Sequence, residues 1–315
     1  MVLWDITRFS SIVLLTIAFV TLFAAHHWFA DLLANLRVQQ CLALAILLGL
    51  CIVFRRWVWA IAMLVCVLNH TAWLCGENSN AVDRETTADT LTITLANVLT
   101  QNDRHDEIVA DLHSGDPDVF AILELSSPLS YRLRNDFGTS HPYSITRPQD
   151  AGNFGIGLYS RFPIEDAATF TLNSSIESIT ATIKTPTGAR RIFVTHTFPP
   201  IGARGFARRN DHLMQLANMI RKSKRQTPEL PIILVGDLNV TPWSPHFNEF
   251  QSLSELRRTS GRWDVTPTWY RFPLFPFGLV LDHVMTSGEL AYVERKVGPE
   301  IGSDHRSVTV TVADR

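Results

Sequence analysis

The sequence predicts a layered α/β sandwich with mixed sheets, carried behind an all-α membrane segment of about three transmembrane helices. Three observations lead there. Apolar residues make up 46% of the 315 positions, yet they crowd into three long runs before residue 76. From Leu91 onward, short runs rich in β-branched residues alternate with helical stretches. These come in two arrangements: strand pairs without an intervening helix at 155–195, and strand–helix–strand units at 91–123 and 191–235. That mixture fits layered mixed sheets better than a purely parallel, doubly wound sheet.

The three apolar runs are Phe9–Ala25, Cys41–Phe54 (extendable back to Val38) and Trp57–Cys75. About 20 mostly apolar residues cross a bilayer, so spans near 9–30, 38–54 and 57–75 are expected, making residues 1–75 an anchor. A cleaved signal peptide is the alternative for the first run. Two further runs follow at once, however, and no small-residue cleavage site stands near Ala25–Trp28. Arg8 precedes the first run and Arg55-Arg56 fill the turn between the second and third, against Arg37 alone in the loop between the first and second. The positive-inside rule then predicts a multi-pass protein of the cell (inner) membrane, with everything after Cys75 on the extracytoplasmic, periplasmic side. All four cysteines lie in the apolar segment, so the rest folds without disulfides. His26, His27 and His70 fall near the membrane boundaries and are read as hydrated.

Residues 76–89 are polar and read as a linker, which leaves 90–315 as one catalytic domain. Strands are predicted at Leu91–Ala96, Val119–Leu123, Gly155–Tyr159, Ile179–Thr185, Arg191–Thr195, Ile232–Val235, Leu279–Met285 and Ser307–Val312. Helices are predicted at Asp103–His113, Pro128–Phe137, Ala203–Arg225 and near Pro245–Arg257.

The ends of these strands carry the chemistry. The first closes on Asn97, VFAIL on Glu124, RIFVT on His196, and PIILVG on Asp237-Leu238-Asn239. GLVL closes on Asp282-His283, and Asp304-His305 stand just before the last strand. Singly, such a residue is an ordinary turn former or a solvated group. Six together, all oxygen donors and imidazoles with no Cys or Ser nucleophile, describe a site. Hard oxygen ligands without thiolates favour Mg²⁺, Mn²⁺ or Ca²⁺ over zinc, and Mg²⁺ (or Mn²⁺) is the cofactor expected. Glu124 suits a metal carboxylate, with Asn97 as a neutral donor beside it. Asp237 and Asn239, two apart on a strand continuation, share a face and can hold a water and a phosphate oxygen. A histidine beside a carboxylate is fixed in one tautomer and can serve developing charge on phosphorus.

The set Asn97, Glu124, His196, GDLN at 236–239, LDH at 281–283 and SDH at 303–305 resembles the endonuclease/exonuclease/phosphatase superfamily, the DNase I-like enzymes, over roughly residues 90–312. The resemblance implies a four-layer α/β/β/α sandwich and metal-dependent phosphoester hydrolysis by direct water attack. It implies a metal site at Asn97 and Glu124, with Asp304 assisting. Asp237 would orient or deprotonate the water, Asn239 place the phosphate, and His305, oriented by Asp282, polarise it; His196 matches a position where many members keep His. Leu99 departs from the Asp that AP endonucleases carry there. The anchor makes the chain similar to bacterial membrane-anchored members, including the VanJ-like group associated with teicoplanin resistance.

For the substrate, residues 76–315 hold 24 basic against 28 acidic residues, net −4, whereas duplex binding usually rests on a basic face. Nucleic acid is therefore the less favoured partner. Expected partners are the lipid bilayer and a phosphorylated substrate, lipid-linked or small. Arg204 and Arg208, at the start of the long helix, are candidates to bind its phosphate. The run PTWYRFPLFPFGLV at 267–280 could form an apolar shelf beside the site. A membrane-anchored nuclease and a non-catalytic membrane scaffold are the alternatives.

Overall fold

A computed structural model describes residues 2–75, 90–172, 175–261, 263–271 and 277–315. The linker expectation and the middle of the apolar shelf lie outside the described residues.

The N-terminal segment forms α1 (Val2–Thr21), α2 (Trp28–Ala34), α3 (Arg37–Val53) and α4 (Trp57–Leu74). The expected span at 9–30 is corrected: its helix is α1, which starts earlier and stops at Thr21, and α2 is separate. Turns occupy 22–26, and the His27 side chain caps α2 by accepting from the Phe29 N–H; an apolar count cannot see such a break. α1 and α4 are long and apolar enough to cross a membrane, and α2 with α3 form a pair bent by 67° that would make a third span. Trp4 meets Phe54 edge to face and lies under the Arg56 guanidinium. The start of α1 is thus beside the α3–α4 turn, and α2 is at the opposite end.

The remainder is a four-layer α/β/β/α sandwich. One six-stranded sheet runs β11-β12-β1-β2-β4-β3 and the other β5-β6-β7-β8-β10-β9. These strands are β1 (Thr90–Asn97), β2 (Val119–Leu123), β3 (Tyr143–Arg147), β4 (Ile156–Ser160), β5 (Ile164–Thr171) and β6 (Glu177–Thr185). The rest are β7 (Gly188–His196), β8 (Ile232–Asp237), β9 (Arg257–Arg258), β10 (Asp282–Thr286), β11 (Leu290–Val297) and β12 (Val308–Asp314). Alternation builds the centre: Leu91, Ile93 and Leu95 of β1 meet Ile179, Val194 and Val235 between the sheets. On the outer face of the first sheet, Phe120 and Ile122 pack under α5 (His105–Gly115) and α6 (Ser127–Phe137). On the other, Phe193 and Leu234 pack under α7 (Gly202–Gln226) and α8 (Pro245–Ser254).

Candidate active site at the strand ends

Strand register turns distant residues into neighbours. β7 and β8 pair in parallel with His196 opposite Asp237, and β10 pairs with β8 so that Asp282 also stands opposite Asp237. In the other sheet β1 runs parallel to β2 with Asn97 opposite Leu123, one residue before Glu124. β12 pairs back along β1, which brings the 303–305 turn to the same end, where Ser303 Oγ donates to the Asn97 carbonyl at 2.8 Å. Gly236 is required for this closeness: a Cβ there would stand 2.3 Å from the Thr195 carbonyl oxygen.

Asp237 is the hub. Its Oδ1 accepts the Asn239 backbone N–H at 2.8 Å, and its Oδ2 accepts from Asn97 Nδ2 at 3.2 Å. The same Oδ2 faces His196 Nε2 at 3.4 Å and His305 Nε2 at 3.6 Å. His305 Nδ1 bonds Asp282 Oδ2 at 2.8 Å. Glu124 accepts the Thr100 N–H at 3.3 Å and a hydrogen bond from Asn97. Asn239 Nδ2 donates to the Thr197 carbonyl, and Asp304 accepts from the Trp269 indole at 3.0 Å. Glu124, His196, Asp237, Asn239, Asp304 and His305 line one cavity of about 430 Å³, while Asn97 and Asp282 support it from behind.

The electrostatics separate these groups. Burial pushes the Glu124 carboxyl up, partly offset by His196 and Asn97. Burial also opposes charge on Asp237, but the hydrogen bond from His196 and the nearby His305 hold its carboxyl below the usual range. Burial disfavours the His305 imidazolium; Asp282 and Asp237 outweigh it and raise its pKa to about 10. His196 is raised as well, Asp237 overcoming burial. The floor thus sets Asp237, whose carboxyl is held low, between two imidazoles whose pKa values are raised, while burial pushes the carboxyls of Glu124 and Asp282 up. Strain is concentrated here too: Leu99, Glu124 and Asn239 have φ of 62°, 59° and 48°, a region that costs an L-residue of order 1–3 kcal/mol.

The donors suit a hard divalent cation. Glu124 is a buried carboxylate with a carboxamide beside it, and the cysteines lie in the N-terminal helices. Ligand atoms of Asp237, Asp282 and His305 also lie within 4.8 Å of one another. Because His305 Nδ1 is already bonded to Asp282, that trio reads better as a hydrogen-bonded relay than as a ligand set.

All eight residues expected at the metal and catalytic positions come together. The two weaker candidates do not line the cavity: Arg204 is exposed, and the Arg208 guanidinium lies over the Phe198 ring, 3.6 Å from its centroid. Helix phase is the reason, since α7 turns Arg209 inward instead. Trp269 and Leu279 of the 267–280 run line the cavity beside the site, and Arg271 of the same run brings a charge there that the apolar reading did not include. Unforeseen lining also comes from Leu32, Asn35 and Leu36 of the α2 region, where the signal was a charged residue, Asp31, inside an apolar segment. His70, read as hydrated, is buried and accepts from Arg37 at 3.3 Å.

Residues 94–305 match the Endonuclease/Exonuclease/phosphatase family. A search of curated proteins found no match. Among solved structures, the chain is similar to an endonuclease/exonuclease/phosphatase from Beutenbergia cavernae (19% identity, 71% of this chain and 72% of that one, TM-score 0.59). It is also similar to sphingomyelinase C from Streptomyces griseocarneus (16% identity, 72% and 100% covered, TM-score 0.56). A third is the 3′ phosphatase NExo from Neisseria bound to product DNA hairpin (18% identity, 70% and 98% covered, TM-score 0.58). At these identities the likeness shows a shared fold. The narrower likeness to the VanJ-like group rests on the sequence alone.

Proposed function

Since the chain belongs to the endonuclease/exonuclease/phosphatase family, we propose that it is a membrane-anchored, divalent-metal-dependent phosphoesterase. It would hydrolyse a lipid-linked or small phosphorylated substrate outside the cytoplasm by direct attack of water. The observation that carries this reading is the convergence of Glu124, Asp237 and His305, from both sheets, on one cavity.

Glu124 and Asn97, with Asp304 nearby, would hold Mg²⁺ or Mn²⁺, and the cation would supply Lewis-acid polarisation of a phosphoryl oxygen. Asp237, kept ionised, accepts a hydrogen bond from the attacking water. Its lowered pKa makes it a better orienter than a proton acceptor, because general bases work best near the operating pH. His305, charged and fixed by Asp282, donates from Nε2 to a phosphoryl oxygen as negative charge grows there. His196 supports the same charge from the other side, and Asn239 positions the phosphate with the amide hydrogen not given to Thr197.

The orientation rests on Arg8, Arg55 and Arg56, which belong to the end of the bundle away from the sandwich. The net charge of −4 over 76–315 weighs against a nuclease, although one structural neighbour is bound to DNA. Purified full-length protein should hydrolyse bis-p-nitrophenyl phosphate with added Mg²⁺ or Mn²⁺ and stop in EDTA. Lack of metal-dependent turnover would favour the scaffold alternative, and plasmid nicking faster than lipid-phosphate hydrolysis would favour the nuclease. A topology reporter fused after Arg315 should report a periplasmic terminus.

A further inference from the structure

The helix α2 is fastened to the sandwich by buried polar contacts. Asp31 Oδ2 pairs with Arg209 Nη2 at 2.7 Å, both side chains fully buried, and Asp31 Oδ1 accepts from Ser244 Oγ at 3.0 Å. One turn later, Asn35 Oδ1 accepts the Thr241 backbone N–H at 2.7 Å and the Thr241 hydroxyl at 2.9 Å, and the Asn35 carbonyl accepts from the Trp243 indole. Arg37 Nε donates to the Trp243 carbonyl, and Gln39 Nε2 to the Gly278 carbonyl at 2.7 Å. Residues four apart on a helix share a face. Asp31 and Asn35 therefore grip the sandwich, while Leu32 and Leu36, one position on, turn a second face to the cavity.

The cavity accordingly has two halves. Its floor is the charged set around Asp237. Its apolar lining is Leu32 from α2 and Leu36 from the turn after it, with Leu99, Phe154, Ile201 and Leu279, and Arg271 is the one further charge among the lining residues. Leu99 sits in a left-handed conformation that Asn or Asp would adopt more readily. Ile201 and, on α2 itself, Phe29 are among the exposed large apolar side chains of this end, at 75% and 48%. α1, which precedes it, is long and apolar enough to cross a membrane, and α2 passes that test only jointly with α3, as a pair bent by 67°; the bend puts this wall where the bilayer surface would be.

Resting on the phosphoesterase reading above, we propose that α2 is a working part of the substrate site. Together with Leu99 and Leu279, Leu32 and Leu36 form a subsite for the hydrocarbon chain of a phosphorylated lipid, whose phosphate rests on the charged floor. The anchor then does more than tether. It completes the pocket and aligns its open side with the membrane from which such a substrate comes.

The test is a homologous series of alkyl p-nitrophenyl phosphates, methyl to dodecyl, hydrolysed by full-length protein in nanodiscs. kcat/KM should climb with chain length, by up to roughly fourfold per buried methylene, and level off once the apolar half is filled. Leu36→Gln should flatten the climb, and Leu36→Trp, which fills the wall without adding charge, should move the plateau to shorter chains. Partition into the bilayer would raise rates equally in all three proteins, so the ratio between proteins at each length is the readout. A flat series, or a climb identical in all three, overturns the subsite while leaving the phosphoesterase reading standing. No metal-dependent turnover of any member, methyl included, overturns that reading and the subsite with it.

Discussion

The buried Asp31–Arg209 pair is the contact most open to measurement. Both side chains have no solvent contact and meet at 2.7 Å. Arg209 also donates to the Asn239 carbonyl at 2.9 Å, so one guanidinium joins α2 to the loop after β8. Burial lowers the Arg209 pKa and Asp31 opposes that effect. Asp31→Ala leaves the guanidinium without its counter-charge and the Ser244 hydroxyl without its acceptor. Removing one partner of such a pair costs about 3–5 kcal/mol. At about 2–4 °C per kcal/mol for a domain of 150–250 residues, the midpoint should fall by about 6–20 °C. If α2 instead lifts off and lets water reach Arg209, the loss is capped at the free energy of undocking, and hydrogen exchange at 28–36 should rise while the sheets stay protected. The double variant Asp31→Leu with Arg209→Met removes both charges and should regain most of the loss, since apolar replacement of a whole buried pair is often neutral or better. Thermal unfolding in detergent, read with exchange mass spectrometry, measures both routes. An Asp31→Ala protein within about 1 kcal/mol of the parent, with unchanged exchange over α2, would refute the claim that this pair fastens the anchor to the sandwich.

Other expectations follow from the site itself. Mg²⁺ at a hundred times its Kd should stabilise the parent by about 2.7 kcal/mol; Glu124→Gln should abolish that gain in a thermal-shift titration while leaving the metal-free protein no less stable, because its buried charge is gone. Asp282→Asn should stay folded but lose roughly 10²-fold or more in kcat, since His305 forfeits the partner that keeps it charged and aimed; a KM effect alone would count against the assignment. Gly236→Ala should cost about 1–3 kcal/mol by overpacking, as its Cβ would press on the Thr195 carbonyl, and should lower kcat by separating His196 from Asp237.

How far the sequence could be read depended on where each residue sits. β1, β2, β4, β6, β7, β8, β10 and β12 were anticipated because they are inner strands with apolar runs. The four that were missed, β3, β5, β9 and β11, are the edges of the two sheets. Edge strands carry polar and charged residues on open faces, as in the largely exposed β5, and so lack the signal. The catalytic and metal candidates were legible because each stands where an inner strand ends, as Asn97, Glu124, His196, Asp237 and Asn239 do, or begins, as Asp282, Asp304 and His305 do, and strand ends of layered sheets converge. Which of Arg208 and Arg209 turns inward was not legible, because a difference of one residue on α7, about 100° of rotation, decides which guanidinium is buried. The docking of α2 was signalled by Asp31 alone, a charge inside an apolar segment, because nothing local in Leu32 or Asn35 announces contacts with residues some two hundred positions away.

Arg37 shows how the structure changes the meaning of a charge that the sequence could only count. In the orientation argument it was the one basic residue opposing Arg8, Arg55 and Arg56. Here it is buried, donates to the Trp243 carbonyl and to His70, and lies over the Trp73 ring at 4.4 Å. A side chain so committed serves as a bolt between α3, α4 and the sandwich, and its position is explained without any lipid-facing preference. The free basic charges then all belong to one end of the bundle, where Arg56 covers Trp4, and the sandwich to the other. The contact that removes the conflicting charge also holds Leu32 and Leu36 at the cavity, so the proposed orientation and the proposed lipid subsite rest on the same few buried hydrogen bonds.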